Sequence, residues 1–131
     1  MITYKLNCPI DADELIRVFE ASGLNRPCKD RDRIQRMLDN SNLIISAWDD
    51  GRLIGVCRAL TDFSYCCFLS DLAVDRKYQH AGVGKEMLAR LRAEIGDEVS
   101  LIIQAAAASM SYYPRLGFEK MENGFMIARK R

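Results

Sequence analysis

Residues 71–85 constrain the fold more than any other part of this sequence, because they join a strand pattern to a helix pattern through a glycine-bearing loop. Apolar residues fill the strand up to Val74, and Gly82 and Gly84 follow in the loop. The next apolar residues recur at helical spacing, at Met87, Leu88, Leu91 and Ile95. The first N–H groups of a helix have no intrahelical partner and lie at the positive end of its dipole. The segment therefore predicts a mixed α/β fold with a loop that suits an anionic phosphate.

Two familiar phosphate loops do not match this segment. A dinucleotide-binding loop has the pattern G-x-G-x-x-G, but Met87 takes the place of its third glycine. A nucleotide triphosphate loop has the pattern G-x-x-x-x-G-K-[ST], but Gln79 replaces its first glycine and Glu86 its Ser or Thr. The glycines alone leave a structural alternative open, in which they only shape the start of the helix.

The composition predicts one cytoplasmic domain over residues 1–131. With 49% hydrophobic and 28% charged residues, the chain is too apolar for disorder and has no apolar run near the ~20 residues of a membrane span. The first residues lack the basic and apolar regions of a signal peptide. We therefore expect no membrane partner.

Cysteine, histidine and charge narrow the class of ligand. Five cysteines without a C-x-x-C pair, and a single histidine, argue against a disulfide framework and against a metal site. A net charge of +1 from well-mixed charges gives no broad basic field for nucleic acid. A small or locally charged ligand is the expectation.

Hydrophobic periodicity predicts the element order β-α-α-β-β-β-α-β-α-β-β. The Asp50-Gly51 pair predicts a tight hairpin turn, because Asp-Gly supplies the positive φ angles that such a turn requires. The predicted strands cover 1–6, 43–48, 53–60, 65–74, 99–104, 118–121 and 125–128. The predicted helices cover 11–22, about 30–39, the stretch from the glycine loop to Ile95, and 105–115.

Two motifs in this order carry a family resemblance. Gln79-x-x-Gly82-x-Gly84 resembles the Q/R-x-x-G-x-G/A coenzyme A signature of the GNAT superfamily of N-acetyltransferases. Residues 112–118, YYPRLGF, resemble the family segment F-Y-x-x-L-G-F, which also follows the glycine loop by about thirty residues. The element order matches that family over essentially the whole chain. The resemblance implies the GNAT fold, a mixed and mostly antiparallel central sheet flanked by helices.

The resemblance also implies acetyl-coenzyme A as cosubstrate. The main chain of Leu72, Ala73 and Val74 would bind the pantetheine arm, on a strand that splays away from its neighbour. The pyrophosphate would lie on the backbone amides of Gln79, His80, Ala81, Gly82, Val83, Gly84 and Lys85.

Tyr113 matches the family tyrosine that gives a proton to the departing thiolate, although a packing role is the alternative. The neighbouring Tyr112 is expected to pack. Pro114 departs from the family pattern and can bend the chain near this tyrosine, and Ala106 stands where the family often has an asparagine that contacts coenzyme A.

The acceptor amine needs a group that removes its proton, since an alkyl amine has a pKa near ~10.4. Asp71 is the first candidate, and a structural hydrogen bond or salt bridge is its equal alternative. Asp62 and Glu119 are reserve candidates. A modest resemblance to small GNAT enzymes favours an aryl-alkyl amine, that is, a small-molecule acceptor; a protein or peptide acetyltransferase and a non-catalytic acetyl-coenzyme A module stay open. Uncovered sheet edges make a homodimer possible.

Overall fold

The computed structural model describes all 131 residues and shows one five-stranded sheet with helices on both faces. The strands follow chain order across the sheet, and every pair is antiparallel except the parallel β4–β5 pair. The strands are β1 (Ile2–Leu6), β2 (Leu43–Asp49), β3 (Arg52–Thr61), β4 (Cys66–Val74) and β5 (Ser100–Ile103). The helices are α1 (Ala12–Ser22), α2 (Arg31–Asp39) and α3 (Val83–Ile95). The predicted fold class is confirmed, and none of the helices is long and apolar enough to span a bilayer.

The sheet has a hydrophobic core on each face. Helix α3 packs on one face through Met87, Leu88 and Leu91, and it supplies the crossover that lets β5 run parallel to β4. Helices α1 and α2 pack on the other face, where Phe19 and Ile34 are fully buried. The sheet is therefore packed between two helical layers.

The predicted hairpin is confirmed. Asp50 has a φ of 48° and Gly51 a φ of 83°, which are the two positive values of a type I′ turn. This turn joins β2 to β3 with continuous register from Asp49–Arg52 inwards, apart from one irregularity near Trp48. The Asp-Gly pair thus predicted both the turn and its type.

The C-terminal part differs from the prediction. Residues 105–115 form the short 3₁₀ turns Ala107–Ser109 and Tyr113–Leu116 instead of an α-helix. Pro114 has no N–H to donate and would clash with the carbonyl of Met110 in an α-helix. The alanines at 106–108 are exposed, so a longer helix would have no buried apolar face to stabilise it. The strands predicted at 118–121 and 125–128 are not formed, because these residues find no partner strand.

Candidate active site

The parallel strands β4 and β5 separate halfway along β4. Their pairing runs from Cys66–Ser100 to Leu69–Ile103 and then stops, while β4 continues to Val74. The separation coincides with a β-bulge, since Arg58 faces Asp71 and Ala59 faces Leu69, which leaves Ser70 as the extra residue. The β5 side of β4 is therefore unpaired from Ser70 to Val74, as the splay implied by the family resemblance requires, and this open side is called the cleft below.

Backbone groups of β4 point into this cleft. Asp75 N–H donates to Ile54 O at 2.9 Å, and hydrogen-bonded pairs alternate along an antiparallel ladder. By that alternation Ala73 bonds to β3, whereas the N–H and C=O groups of Leu72 and Val74 point away from it. Of the three residues predicted to bind the pantetheine arm, Leu72 thus presents its N–H and C=O to the cleft. Val74 presents only its N–H, since its C=O accepts from Gln79, and Ala73 belongs to the ladder.

The glycine loop ends in an uncapped helix. His80 and Gly82 both have positive φ angles, 68° and 82°, and Gly82 is the N-cap of α3 without any side-chain capping bond. The first helical bond is donated by Glu86 to Gly82 O at 3.0 Å, so the N–H groups of residues 83–85 have no partner within the chain. These amides form the positive end of α3 beside the open end of β4.

Some side chains around the loop make contacts within the protein, and others are exposed to solvent. Gln79 Nε2 donates to Val74 O at 2.9 Å and to Ser22 O at 3.4 Å, so its amide ties the loop to β4 and to α1. Val83 is buried in the α3 core. His80, Ala81 and Lys85 are exposed and lie on the open side of the loop.

Gly84 makes room for a tyrosine over the start of α3. A Cβ at Gly84 would come 3.1 Å from Tyr112 Oη and 3.7 Å from Val74 Cγ2. The rings of Tyr112 and Tyr113 meet edge to face at 5.3 Å, and Tyr113 meets Phe118 in the same way at 5.4 Å. This chain of contacts brings the two predicted motifs together at the cleft.

Tyr113 combines burial with a free hydroxyl. Burial, assisted by Tyr112 and Cys57, raises the pKa of Tyr113 to about 12, and Arg26 partly opposes the shift. Its hydroxyl makes no hydrogen bond within the chain. Arg17 Nη1 is the only solvent-inaccessible side-chain N or O atom that lacks a hydrogen-bond partner, so the Tyr113 hydroxyl is not fully buried. The phenol is therefore protonated at neutral pH, and its oxygen is accessible to solvent.

Asp71 follows the bulge in β4, and its side chain lies between two arginines. Its side chain is fully buried, its Oδ1 accepts from Arg26 Nε at 2.5 Å, and its Oδ2 accepts from Arg58 Nε at 2.5 Å. Arg58 also donates to Ser41 Oγ and Ser70 Oγ, and Arg26 donates to Ser70 O at 2.9 Å. The salt bridge that was one of the two alternatives for Asp71 is thus formed, whereas a role as base stays a prediction.

The position of the cluster of Asp71, Arg26 and Arg58 depends on the bulge at Ser70. Cys67 and Leu69 face α3, and regular alternation would turn Asp71 to the same face. The extra residue Ser70 reverses the alternation, so Asp71 faces the α1–α2 side. Neither arginine was predicted from the sequence, because Arg26 is 45 residues away from Asp71 and the bulge has no local signal.

The two reserve candidates lie away from the cluster. Asp62 closes the β3–β4 turn by accepting backbone N–H bonds from Cys66, Ser64 and Tyr65, which lower its pKa to about 2. Glu119 lies at a groove beside the first residues of β5.

Comparison with known proteins finds acetyltransferases similar to this chain in sequence and in fold. The uncharacterised N-acetyltransferase ycf52 of Pyropia yezoensis is 29% identical over 125 residues, which cover 90% of this chain and 70% of that protein. A probable acetyltransferase from methicillin-resistant Staphylococcus aureus has a TM-score of 0.84 at 21% identity, with 98% of this chain and 99% of that chain covered. The PaiA N-acetyltransferase from Thermoplasma acidophilum, solved in complex with coenzyme A, has a TM-score of 0.73 at 17% identity, with 95% and 93% covered.

The family model for the acetyltransferase (GNAT) domain matches residues 13–127, which include the splayed strand, the glycine loop and both tyrosines. The chain therefore belongs to the GNAT family of acetyltransferases.

Proposed function

We propose that this acetyltransferase moves an acetyl group directly from acetyl-coenzyme A to the amine of a small molecule. The observation that carries the proposal is the open end of β4, where the N–H and C=O of Leu72 and the N–H of Val74 are unpaired beside the uncapped start of α3. The pantetheine amides pair with the strand as a short extra strand would. The pyrophosphate accepts hydrogen bonds from the amides of residues 83–85.

Tyr113 acts as the general acid in this proposal. The amine nitrogen attacks the thioester carbonyl carbon, the C–S bond breaks, and the departing thiolate takes the phenol proton. A pKa of about 12 keeps that proton in place at neutral pH, and the unpartnered hydroxyl is free to face the sulfur. Tyr112 supports this geometry by packing over Gly84.

Solvent is the favoured proton acceptor for the amine. Both oxygens of Asp71 already accept from guanidinium groups, so proton uptake there would break a buried ion pair. The cluster holds two cations for one anion. A protonated amine near Arg26 would be repelled while a neutral amine would not, and this favours the nucleophilic form of the acceptor.

The acceptor class is tested with a panel of aryl-alkyl amines, aliphatic amines and lysine peptides, read by release of free coenzyme A thiol. We expect amine-dependent release with the small amines, and faster turnover with aryl-alkyl ones. Faster release with peptides would indicate a protein-modifying enzyme. Binding of acetyl-coenzyme A without release by any amine would contradict the catalytic proposal.

A further inference from the structure

Arg26 carries a charge that the chain does not balance. Asp71 is the only carboxylate in ion-pair contact with Arg26, and it is shared with Arg58. Arg58 is only 6% exposed, whereas the side chain of Arg26 is 25% exposed. The excess positive charge of the cluster therefore reaches solvent at Arg26, where an anionic group of a ligand would balance it.

The guanidinium of Arg26 has two N–H groups left for a ligand. It has five N–H donors, one on Nε and two on each terminal nitrogen. The Nε donor goes to Asp71 at 2.5 Å, one Nη1 donor to Asn25 O at 2.8 Å, and one Nη2 donor to Ser70 O at 2.9 Å. One N–H on each terminal nitrogen is therefore unpaired within the chain. A carboxylate binds such a pair of donors with its two oxygens.

Three exposed apolar side chains cross the sheet next to this cluster. Phe68 pairs with Leu60 on one side and with Ile102 on the other, and their exposed fractions are 43%, 42% and 36%. Their neighbours along the strands pack against α3, so alternation turns these three residues, the apolar row, to the α1–α2 side. Leu60 follows Arg58 by two residues in β3, which puts the row about 7 Å along the strand from the Arg58–Asp71 pair.

The apolar row and Arg26 border the opening between β4 and β5. The pairing of these strands ends at Leu69, directly after Phe68. Arg26 lowers the pKa of Tyr113, and Cys57, which packs on the α3 side, raises it. The phenol of Tyr113 is thus within electrostatic range of groups on both sides of the sheet. An acceptor held on the α1–α2 side would therefore lie near the proposed proton donor.

We propose that the acceptor is an amino acid with an apolar side chain. Its carboxylate binds the two free N–H groups of Arg26, and its side chain lies on the apolar row. This inference rests on the proposed function and narrows its acceptor class, because phenylalanine is an aryl-alkyl amine that also carries a carboxylate. The bound carboxylate offsets the excess positive charge of the cluster.

Phenylalanine and 2-phenylethylamine test the carboxylate, because they differ only in that group. Release of free coenzyme A thiol gives kcat/KM for each amine. We expect the wild type to prefer phenylalanine by about 10-fold or more, since hydrogen bonds between charged groups contribute at least that much. Equal or faster reaction of 2-phenylethylamine would overturn the inference and leave acetyl transfer to a small amine standing.

Arg26→Gln should bring the ratio of these two kcat/KM values close to one. Arg92→Gln is the matched control and should keep the wild-type ratio, because Arg92 is exposed on α3 and makes no ion pair. Arg26→Lys keeps the charge without the planar pair of donors, so it should keep part of the preference. An unchanged ratio in folded Arg26→Gln would overturn the role of Arg26.

Phe68→Ser tests the apolar row. The preference for phenylalanine over glycine should fall by about 10-fold or more, because the side chain of the acceptor loses its apolar contact. Tyr65→Ser removes an aromatic ring that is 77% exposed in the turn before β4, and this control should keep the preference. An unchanged preference in Phe68→Ser would overturn the role of the row.

Binding of 3-phenylpropionate separates this inference from the proposed function, because the molecule has the ring and the carboxylate but no amine. An NMR titration of the protein with coenzyme A bound gives its Kd without turnover. We expect the Kd to rise by about 10-fold or more in Arg26→Gln. Such binding in a protein that acetylates no amine would support the carboxylate site and contradict only the proposed function. Absence of binding to the wild type would overturn the inference.

Discussion

The two halves of strand β4 differ in backbone pairing and in the direction of their side chains. In the first half, Cys67 and Leu69 are buried against α3 and the backbone pairs with strands on both sides. In the second half, one extra residue at Ser70 turns the side chains over and the pairing with β5 ends. The first half contributes to the core, while the second leaves backbone groups unpaired at the cleft and places a buried charge cluster on the α1–α2 side.

The proposed site would bind its ligand through backbone groups and without dedicated binding side chains. A paired strand has no spare hydrogen-bonding groups, and an unpaired strand in a core would leave its polar groups unsatisfied. The pairing with β5 ends beside the bulge, where we propose that the ligand binds to the backbone. Four predictions test whether the core and the proposed site contribute differently to the free energy of unfolding, to acetyl-coenzyme A affinity and to turnover.

Asp71→Asn should have the largest effect, and it should fall on stability. The asparagine amide would present N–H groups to one of the two guanidinium groups. Arg58, which is only 6% exposed, would therefore lose part of its buried counter-charge. Removing one member of a buried pair costs about 3–5 kcal/mol. Urea unfolding measures the loss.

Leu69→Ala, in the paired half, is the comparison for Asp71→Asn and should cost about 2–5 kcal/mol. Turnover per folded molecule should be near wild type in both variants if Asp71 only positions the cleft. A fall of about 10²-fold or more in Asp71→Asn alone would make Asp71 the base, since general acid–base groups contribute at least that much.

Gly82→Val should weaken acetyl-coenzyme A binding by more than about 10²-fold, or ~2.7 kcal/mol. A β-branched residue disfavours the φ of 82°, and the loss of the loop shape removes charge-assisted bonds from the amides that follow. No protein atom lies within 4 Å of the added Cβ, so the core should tolerate the change. Calorimetric titration gives the affinity.

Gly51→Val is the control for Gly82→Val, because it places the same side chain at a similar φ, 83°, in the β2–β3 turn. That variant should lose stability but keep its affinity. Equal affinity of wild type and a folded Gly82→Val protein would remove the loop from the site.

Tyr113→Phe should lower kcat by about 10²-fold and leave acetyl-coenzyme A affinity unchanged, because only the proton donor is lost. Tyr112→Phe is the paired control and should keep most of its turnover. Steady-state rates beside cofactor affinity provide the test. Unchanged kcat in Tyr113→Phe would leave water as the proton donor.

The pH dependence should be the smallest effect. Since the folded state raises the pKa of Tyr113 from 10 to about 12, its stabilising contribution is complete below pH 10 and is lost as pH rises towards 12. In the same range the phenol still donates, so kcat/KM should rise with deprotonation of the amine up to about pH 11 without a falling limb. A falling limb below about pH 10 in wild type, absent in Tyr113→Phe, would contradict the raised pKa.

Local patterns predicted most of the fold. Helices α1, α2 and α3 follow from apolar residues at helical spacing and from end signals such as Gly23 and Gly96, which both adopt positive φ. The Asp50-Gly51 turn was predictable for the same reason, since its geometry depends on two adjacent residues. Where Pro114 and a run of alanines offered weaker signals, the predicted helix did not form.

The candidate site likewise has parts that depend on local sequence and parts that depend on distant contacts. The sequence by itself determined the glycine loop, the start of α3 and the tyrosine pair, because each is set by residues a few positions apart. Tertiary structure alone decided that Arg26 and Arg58 meet Asp71, that Ser70 bulges, and that residues 118–121 and 125–128 do not pair as strands. These outcomes depend on which strands find partners and which charges are buried together, and that is a property of the assembled sheet.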